Sequence, residues 1–298
     1  MLGRPVCVAA TGDRCGEGPV WHDGHASVYW TDINRFLVHR FSPATQNVRS
    51  WFFDEPVTAL SLTTRDDQLA VVLGSGVILW EPEANLQKNQ IFKLDTWPRV
   101  RLNDGRADPR GSLWVGSMRN NVLSDGSATE AGGLDGVLYR FDPDGQVSKH
   151  RADIGIANTV AWSPDYRYFY FGDSLADTVW RFDYDLKTGN ITNEIPFLRN
   201  FGRGSPDGST VDSEGYLWNC RFHGNCIVRV APDGDIDEII EMPVRNVTSC
   251  TFGGADRTTL FITTAAADST AGERLAGSLF ALRTKVPGQP ENRFLITP

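Results

Sequence analysis

The stretch SVYWTD, from Ser27 to Asp32, is the first of six short runs of apolar, β-branched or aromatic residues that read alike along the chain. The other five are QLAVVLG from Gln68, SLWVGS from Ser112, YFYFGDS from Tyr168, YLWNCR from Tyr216 and TLFITT from Thr259. They recur at intervals of roughly 40 to 56 residues, the period of a four-stranded propeller blade rather than of a helical repeat. The repeat therefore predicts an all-β fold, a β-propeller with four-stranded antiparallel blades, and we interpret each run as the first strand of a blade.

The repeat also predicts that residues 1–298 form a single domain. Blades stack on one another and close into one unit, and no linker, charge block or low-complexity segment divides the chain. Nine Trp and sixteen Phe fall mostly within the β-like runs, as expected where blades pack face to face. We expect the segment through about Val8 to pair with a strand near residues 293–296 and thereby close the ring.

Composition argues against several classes of partner. The formal net charge is −8, from 29 Lys and Arg against 37 Asp and Glu, and there is no basic run, so neither nucleic acid nor an anionic membrane is an expected partner. The N-terminus lacks a continuous apolar segment and no run is long enough to span a bilayer, which predicts a cytoplasmic protein. The five Cys show no metal-type spacing and are interpreted as free thiols.

Two polar, Gly-rich segments predict long surface loops. Residues 119–135 and 265–277 each come directly after one of the six runs, so we expect both to project from the same end of the propeller. Long loops within a compact fold are often functional.

Three oxygen-bearing side chains occupy corresponding places, each at the beginning of a strand: Glu17, Asn158 and Asp207. Because strands that begin around a propeller axis converge at one end, these side chains can meet although they are far apart in sequence. Two carboxylates and an amide are hard oxygen ligands that suit Ca²⁺, Mg²⁺ or Mn²⁺ and are acceptable to Zn²⁺. Each residue taken alone could equally well only cap a turn.

A second set of polar residues lies at Arg101 and Asn103. Two residues apart in an extended segment, their side chains are expected on the same side, where they could hold a polyhydroxylated or anionic ligand. Asp104 is followed by Gly105, which favours a structural role for Asp104 in a turn.

Several motifs together resemble one known family. GEGPVW from Gly16, RLNDGRADPRGSLWVGSM from Arg101, AWSPDYRYFYFGDS from Ala161, SPDGSTVDSEGYLW from Ser205 and TSCTFGGADRTTLFIT from Thr248 are similar to the senescence-marker-protein-30/gluconolactonase/luciferin-regenerating-enzyme family. The resemblance runs in order along nearly the whole chain. It implies a six-bladed β-propeller, one divalent cation on its axis, and mostly hydrolysis of sugar lactones.

The resemblance also implies roles for individual residues. Glu17, Asn158 and Asp207 match the metal ligands of the family, and Arg101 and Asn103 match its substrate-holding residues.

Four positions depart from the family pattern. Asn158 is followed by Thr159 where relatives often have Gly, and the added side chain could narrow the pocket. Asn121 stands near a position that is acidic in many relatives and can still bind a hydroxyl. Arg221 and His223 lie where relatives often have small or aromatic residues, and we include both among the substrate-binding candidates.

The expected function is hydrolysis of a γ- or δ-aldonolactone to the aldonic acid in sugar catabolism, with Asp207 as general base and Glu17 as the second candidate. The sequence contains no Gly-x-Ser-x-Gly motif, which argues against a mechanism with a covalent serine intermediate.

The substrate and two other functions stay open at this point. Loop arginines raise the alternative of a substrate with an extra anionic group; these are Arg101, Arg119, Arg203 and Arg221. Two alternative functions are a calcium-binding regulatory propeller and a phosphotriesterase-like hydrolase. We expect a monomer or a weak homodimer.

Overall fold

A computed structural model describes residues 3–296, which form 24 β-strands and no α-helix. The first strand is β1 (Val6–Ala9). Blade 1 contains β2 (Gly16–His22), β3 (Ser27–Asp32), β4 (Leu37–Ser42) and β5 (Asn47–Phe52). Blade 2 contains β6 (Val57–Leu62), β7 (Leu69–Leu73), β8 (Gly76–Glu81) and β9 (Leu86–Lys93). Blade 3 contains β10 (Val100–Ala107), β11 (Leu113–Arg119), β12 (Gly136–Phe141) and β13 (Val147–Ile154).

The second half of the chain continues the pattern. Blade 4 contains β14 (Ala157–Trp162), β15 (Tyr168–Asp173), β16 (Thr178–Tyr184) and β17 (Ile191–Arg199). Blade 5 contains β18 (Ser205–Val211), β19 (Leu217–Phe222), β20 (Cys226–Val230) and β21 (Ile236–Glu241). Blade 6 contains β22 (Val247–Gly253), β23 (Thr259–Thr264) and β24 (Leu279–Arg283), with β1 as its fourth strand. Every strand pairing within a blade is antiparallel, which confirms the predicted six-bladed β-propeller.

The interpretation of the six recurrent runs as first strands is wrong: they are the second strands of the blades, β3, β7, β11, β15, β19 and β23. The first strand of each blade contacts the first strands of the neighbouring blades and so lines the axis. Each second strand is paired on both edges within its own sheet, and its two faces are covered by the neighbouring blades. This burial explains its apolar composition. The first strands carry more Gly and polar residues because they line the axis, and this weakens their β-like pattern.

Each of the six first strands is interrupted by an irregularity in its pairing with the second strand. The shifts lie at Glu17/Val20, Val57/Ala59, Leu102/Gly105, Asn158/Val160, Pro206/Ser209 and Val247/Ser249. Bulges of this kind re-aim side chains and are common next to functional sites. Here they turn residues near the beginning of each first strand towards the axis.

The expected partner of the N-terminal segment is also wrong. β1 pairs with β24, with Val6 opposite Ala281, and not with residues 293–296. The later segment runs elsewhere, since Phe294 forms a parallel bridge with Thr63 of blade 2. The ring is therefore closed by a blade that combines the N-terminal strand with the last three strands, and the segment after them contacts blade 2.

Large aromatic side chains fill the spaces within and between blades. Trp30, Trp114 and Trp218 are fully buried, and their indole N–H groups donate to Asp13, Asp108 and Asp212, respectively. A buried indole N–H without a hydrogen-bond acceptor would lower the stability of the fold. By accepting this hydrogen bond, each Asp allows the large Trp ring to pack in the core. All five Cys are free thiols, as interpreted from the sequence. The described residues include no helix that is long and apolar enough to cross a membrane.

Candidate functional site

A cavity of about 290 Å³ opens at the end of the axis where the first strands begin. Its polar lining is buried and is formed by Glu17, Arg101, Asn103, Asn158 and Asp207. Its apolar lining is formed by Ile33, Met118, Ile156, Leu175 and Phe222. The structure thus brings together five of the residues chosen from the sequence, which come from blades 1, 3, 4 and 5.

Two acidic side chains face each other in the polar lining. The carboxyl groups of Glu17 and Asp207 lie within hydrogen-bonding reach, and the side chains are 8% and 6% exposed. Burial, together with repulsion from Asp104, raises the pKa of Glu17 to about 8, although the Gly18 N–H donates to Glu17 Oε2 at 2.9 Å. Burial and repulsion from Glu17 likewise raise the pKa of Asp207. Two carboxylates this close cannot both remain charged without a compensating cation.

Asn158 supplies a third oxygen. Its Nδ2 donates to Ser174 Oγ at 2.8 Å, so its Oδ1 points the other way and accepts from Asn103 Nδ2 at 3.3 Å. Ser174 Oγ in turn donates to the carbonyl of Pro206 at 2.6 Å, which ties blade 4 to the strand that carries Asp207. Ser174 was not among the residues predicted from the sequence, although it ends the run YFYFGDS, at the same end of its blade as Asn158.

The donor set fits a divalent cation that prefers oxygen. It offers two carboxylates and one amide oxygen, and the unfavourable proximity of the two buried acids is what a cation would relieve. Within residues 3–296 no three His, Cys, Asp or Glu side chains form a metal-binding group, so a cation here would depend on Asn158 as the third protein donor.

Arg101, Asn103 and Asn121 form a second polar group beside the carboxylates. Arg101 donates to the Oδ1 of Asn103 and, through Nε and Nη2 at 3.3 and 3.0 Å, to the Oδ1 of Asn121. Asn103 Nδ2 donates to the carbonyl of Ala157 at 2.8 Å. Burial lowers the pKa of Arg101 to about 10, so the guanidinium is still charged at neutral pH. The arrangement can present fixed donors to the oxygens of a small ligand.

Asp104 lies behind this group rather than on the cavity wall. Burial raises the pKa of its carboxyl group, while the nearby backbone N–H groups of Gly105, Val160 and Thr159 favour the charged form. Asp104 lies within β10 at its irregular pairing with β11, not in the expected turn, and there it supports the irregular part of β14 in the neighbouring blade.

Arg221 requires a correction, because the structure does not bring it to the cavity. Its side chain is fully buried; it donates through Nε to the carbonyl of Arg203 and through Nη2 to Asp177 and to the carbonyl of Gly204, and Nη1 donates to Asn219. A guanidinium with these partners is committed to the protein and is not available to a substrate.

The two remaining arginines also lie away from the cavity lining. Arg119 pairs with Asp135, and Arg203 pairs with Glu241 on the surface. Among the described residues Arg101 is thus the one arginine that lines the cavity.

His223 lies on the rim of the cavity beside Phe222, with ring centroids 4.4 Å apart. Partial burial and the nearby Arg245 lower its pKa from the usual 6.5, so the imidazole is mostly neutral near pH 7. At this position His223 can exchange hydrogen bonds with a bound molecule but supplies no positive charge.

The two long loops lie at the same end of the propeller as the cavity. Each loop follows a second strand, and the last residues of that strand pair with the beginning of the first strand of the same blade. The 119–135 segment contributes Asn121 and Ala131 to the cavity. It folds back through a bridge between Val122 and Ala128, and the carbonyl of Gly126 at its tip accepts from Asn34 of blade 1 at 2.9 Å. The 265–277 segment contributes no residue to the cavity lining.

Cys15 also lines the cavity and was not singled out from the sequence. Burial, reinforced by the negative charges of Glu17 and Asp207, raises the pKa of its thiol. The thiol is therefore neutral and unreactive at physiological pH.

A family model described as SMP-30/Gluconolactonase/LRE-like region matches residues 15–266 of the chain. The pentonolactonase XacC of Haloferax volcanii is 34% identical over 295 residues, which cover 96% of each chain. The 6-deoxy-6-sulfogluconolactonase of Pseudomonas putida is 31% identical over 295 residues, which cover 97% of each chain. Among solved structures, the calcium-binding protein regucalcin of Agrobacterium tumefaciens superposes with a TM-score of 0.89 at 27% identity, covering 98% of this chain and 97% of its own.

Proposed function

Because the chain belongs to the SMP-30/gluconolactonase/LRE-like family, we propose that it is a sugar lactonase, a hydrolase that opens an aldonolactone to the aldonic acid with the help of one divalent cation. The observation that carries this proposal is the juxtaposition within one cavity of a buried carboxylate pair and an Arg–Asn–Asn set of donors. The two lactonase relatives support the same reaction class.

Glu17, Asn158 and Asp207 are the proposed cation ligands, and Ca²⁺, Zn²⁺, Mn²⁺ and Mg²⁺ are all compatible with their oxygens. A bound cation supplies Lewis-acid polarisation of the lactone carbonyl oxygen. Arg101 and Asn103, held in place by Asn121 and the carbonyl of Ala157, would orient the lactone ring through its oxygens. His223 would contact the end of the ring that faces solvent.

The proton released by the attacking water needs an acceptor within the cavity. Asp207 is the proposed general base and Glu17 the second candidate, since each has one carboxylate oxygen that ligation can leave free. The proton would then pass to the ring oxygen as the ester bond breaks, which yields the hydroxyl of the open acid and leaves the carboxylate ready for another cycle.

A small lactone without a further anionic group is the proposed substrate class. Arg101 is the one arginine on the cavity wall among the described residues, and it stands beside two carboxylates in a protein of net charge −8. A cavity of about 290 Å³ lies at the small end of the range for ligand sites. A lactone with an additional anionic group is the alternative substrate class. The similarity to a 6-deoxy-6-sulfogluconolactonase is the reason to test such lactones as well.

One observation favours a second candidate function. The cavity is also lined by apolar side chains such as Met118, Ile156 and Phe222, which would suit the ester groups of a phosphotriester. A calcium-binding regulatory role is the third candidate, prompted by the similar calcium-binding protein regucalcin. We further propose that residues 1–298 act as one domain, in the cytoplasm, as a monomer or weak homodimer that binds neither nucleic acid nor membrane.

The test is proton release near neutral pH from fresh γ- and δ-lactones, neutral and anionic, and from a phosphotriester, with each cation and after chelation. We expect cation-dependent hydrolysis of neutral lactones above the spontaneous rate. Asp207→Asn should lower kcat by at least about 100-fold, because it removes the proposed base. Cation binding without hydrolysis of any lactone would refute the lactonase proposal, and hydrolysis of the phosphotriester alone would favour the second candidate.

A further inference from the structure

Thr159 adopts a backbone conformation that a β-branched residue rarely takes. Its φ is +54°, in the left-handed region, at the irregular pairing of β14 directly after Asn158. The corresponding place in blade 1 is occupied by Gly18, also with φ of +54°. A residue kept in such a conformation costs about 1–3 kcal/mol, so other contacts must hold it there.

The side chain of Thr159 is fully buried and is not part of the cavity wall, so it does not narrow the pocket as the sequence suggested. Its hydroxyl instead reaches the next blade and donates to the backbone carbonyl of Asp207 at 2.6 Å. Ser209 Oγ lies 2.8 Å from the same hydroxyl. On the other side, Thr159 packs over Gly172, where an added Cβ would lie 3.1 Å from Thr159 Cβ. The strained residue therefore holds the strand that carries an acidic side chain of the site.

Blade 6 contains a related hydrogen bond, from a threonine without the left-handed backbone conformation. Thr248 is fully buried at the irregular pairing of β22, and its hydroxyl donates to the backbone carbonyl of Gly16, the residue that precedes Glu17 in blade 1. Each of the two carboxylate-bearing strands is thus held by a threonine hydroxyl from the preceding blade. Thr58 of blade 2 provides the contrast: it sits at the corresponding irregularity, but its hydroxyl stays within its own blade, 3.4 Å from the carbonyl of Val72.

We propose that Thr159 and Thr248 are positioning residues that fix the separation and orientation of the Asp207 and Glu17 carboxylates, and thereby set the affinity of the site for a divalent cation. This inference rests on the proposed function for the identity of the ligand. Neither threonine touches the cation or the substrate; each acts through the backbone of a neighbouring strand. Partners of this kind, one step removed from a metal ligand, typically change metal affinity by about 10 to 100-fold when they are replaced.

The experiment measures Ca²⁺ and Mn²⁺ affinity by calorimetric titration of the whole chain, with thermal unfolding in chelator as the measure of stability. Thr159→Val and Thr248→Val remove the hydroxyl and keep the branched shape, and each should weaken binding about tenfold or more. Thr159→Ser and Thr248→Ser keep the hydroxyl and should bind as the unsubstituted chain does. Thr58→Val is the matched control at the corresponding irregularity and should not change affinity.

Thr159→Gly separates positioning from stability. Glycine relieves the unfavourable φ and so should preserve the unfolding temperature in chelator, yet the loss of the hydroxyl should still weaken cation binding. This variant also serves as the test if Thr159→Val does not fold. Unchanged affinity in Thr159→Gly or Thr159→Val, or an equal loss in Thr58→Val, would overturn the inference alone. A chain that binds neither ion before any substitution would overturn both the inference and the proposed cation site.

Discussion

Arg221 shows at the level of a single residue why a charged side chain in a loop-like motif need not face a ligand. Among the described residues it is the largest charged side chain that is fully buried, and its contacts join the 203–204 segment, Asn219 and Asp177. Asn219 in turn donates to Ser209 beside Asp207. The guanidinium therefore supports the strand that carries Asp207, through Asn219 and Ser209. Removing it should lower the stability of the fold rather than change the substrate selectivity.

We expect Arg221→Ala to lower the free energy of unfolding by about 2–4 kcal/mol, since several buried partners lose their hydrogen bonds. Arg203→Ala is the control: Arg203 is half-buried and pairs with the exposed Glu241, and loss of such a surface pair should cost at most about 1 kcal/mol. Urea denaturation measures both. Arg221→Ala should also leave the ratio of kcat/KM for anionic and neutral lactones unchanged, and a selective loss on anionic lactones would restore Arg221 to the substrate site.

His150 predicts a pH dependence of stability that is independent of the cavity. Its ring lies 4.4 Å from that of Trp114, and burial, with the help of Arg140 and against Asp142, lowers its pKa to about 4. In the unfolded chain the pKa of His is near 6.5, so the unfolded state binds the extra proton first as the pH falls. The contribution of His150 to stability is complete above pH 6.5 and is lost between about pH 6.5 and pH 4.

The measurement is the urea midpoint at several pH values from 7 to 4, in chelator so that cation release does not contribute. His150→Phe keeps the ring beside Trp114 but cannot bind a proton, so it should lose less stability than the unsubstituted chain over this interval. Parallel curves for the two proteins would contradict the prediction.

Most of the polar part of the cavity could be predicted from the sequence, because Glu17, Asn158 and Asp207 each stand at the start of a strand within a recognisable motif. Arg101 and Asn103 followed from the alternation of side chains in an extended segment. The position of Arg221 could not be predicted, since a strand residue has two faces and the sequence does not show which face a later loop will cover. Ser174 was missed because its function depends on a contact across two blades.

At the level of strands, the irregular pairing in all six first strands explains why the number of blades was predicted correctly while the recurrent runs were assigned to the wrong strand of each blade. The irregularities interrupt the apolar alternation of the first strands, so the regular second strands became the visible repeat. The number of blades was nevertheless right, because each blade has one second strand. The interruptions place polar side chains at the axis, and the same feature therefore obscured the first strands and created the site.

The 119–135 segment allows a prediction at this scale. Gly126 at its tip has φ of +78°, and a Cβ there would lie 2.0 Å from the carbonyl oxygen of Asn34. Gly126→Ala should detach the tip from blade 1 and loosen Asn121, which raises KM several-fold with little change in kcat and speeds proteolysis within the segment. Gly132→Ala is the matched control in the same segment, because its Cβ would meet open space. Equal behaviour of the two variants would argue against docking of the tip.

For the whole molecule, the closing blade is the feature with the largest expected effect on stability. β1 contributes Ala9 to the core beside Leu279, and Cys7 packs against the core of blade 6. Deleting residues 1–9 should lower Tm by roughly 5–10 °C, as expected for the loss of a few kcal/mol in a chain of this size.

Thermal unfolding followed by circular dichroism checks the effect of this deletion. Val6→Ser alters only an exposed side chain of the same strand and should leave Tm nearly unchanged. A deletion variant that melts at the temperature of the full chain would show that β1 does not stabilise the ring.

The composition of blade 6 has a consequence for how the protein is made. Roughly 270 residues separate β1 from β24, and at a synthesis rate of about 5–20 residues per second the first strand waits roughly 15–55 s for its partner. During that interval β1 and, once it emerges, β24 present unpaired backbone edges. On a crowded polysome the β1 of one nascent chain can reach the β24 of another, and the product is a strand-exchanged dimer. We therefore expect slower translation before the last blade to increase the share of strand-exchanged dimers, which gel filtration of the released protein would detect.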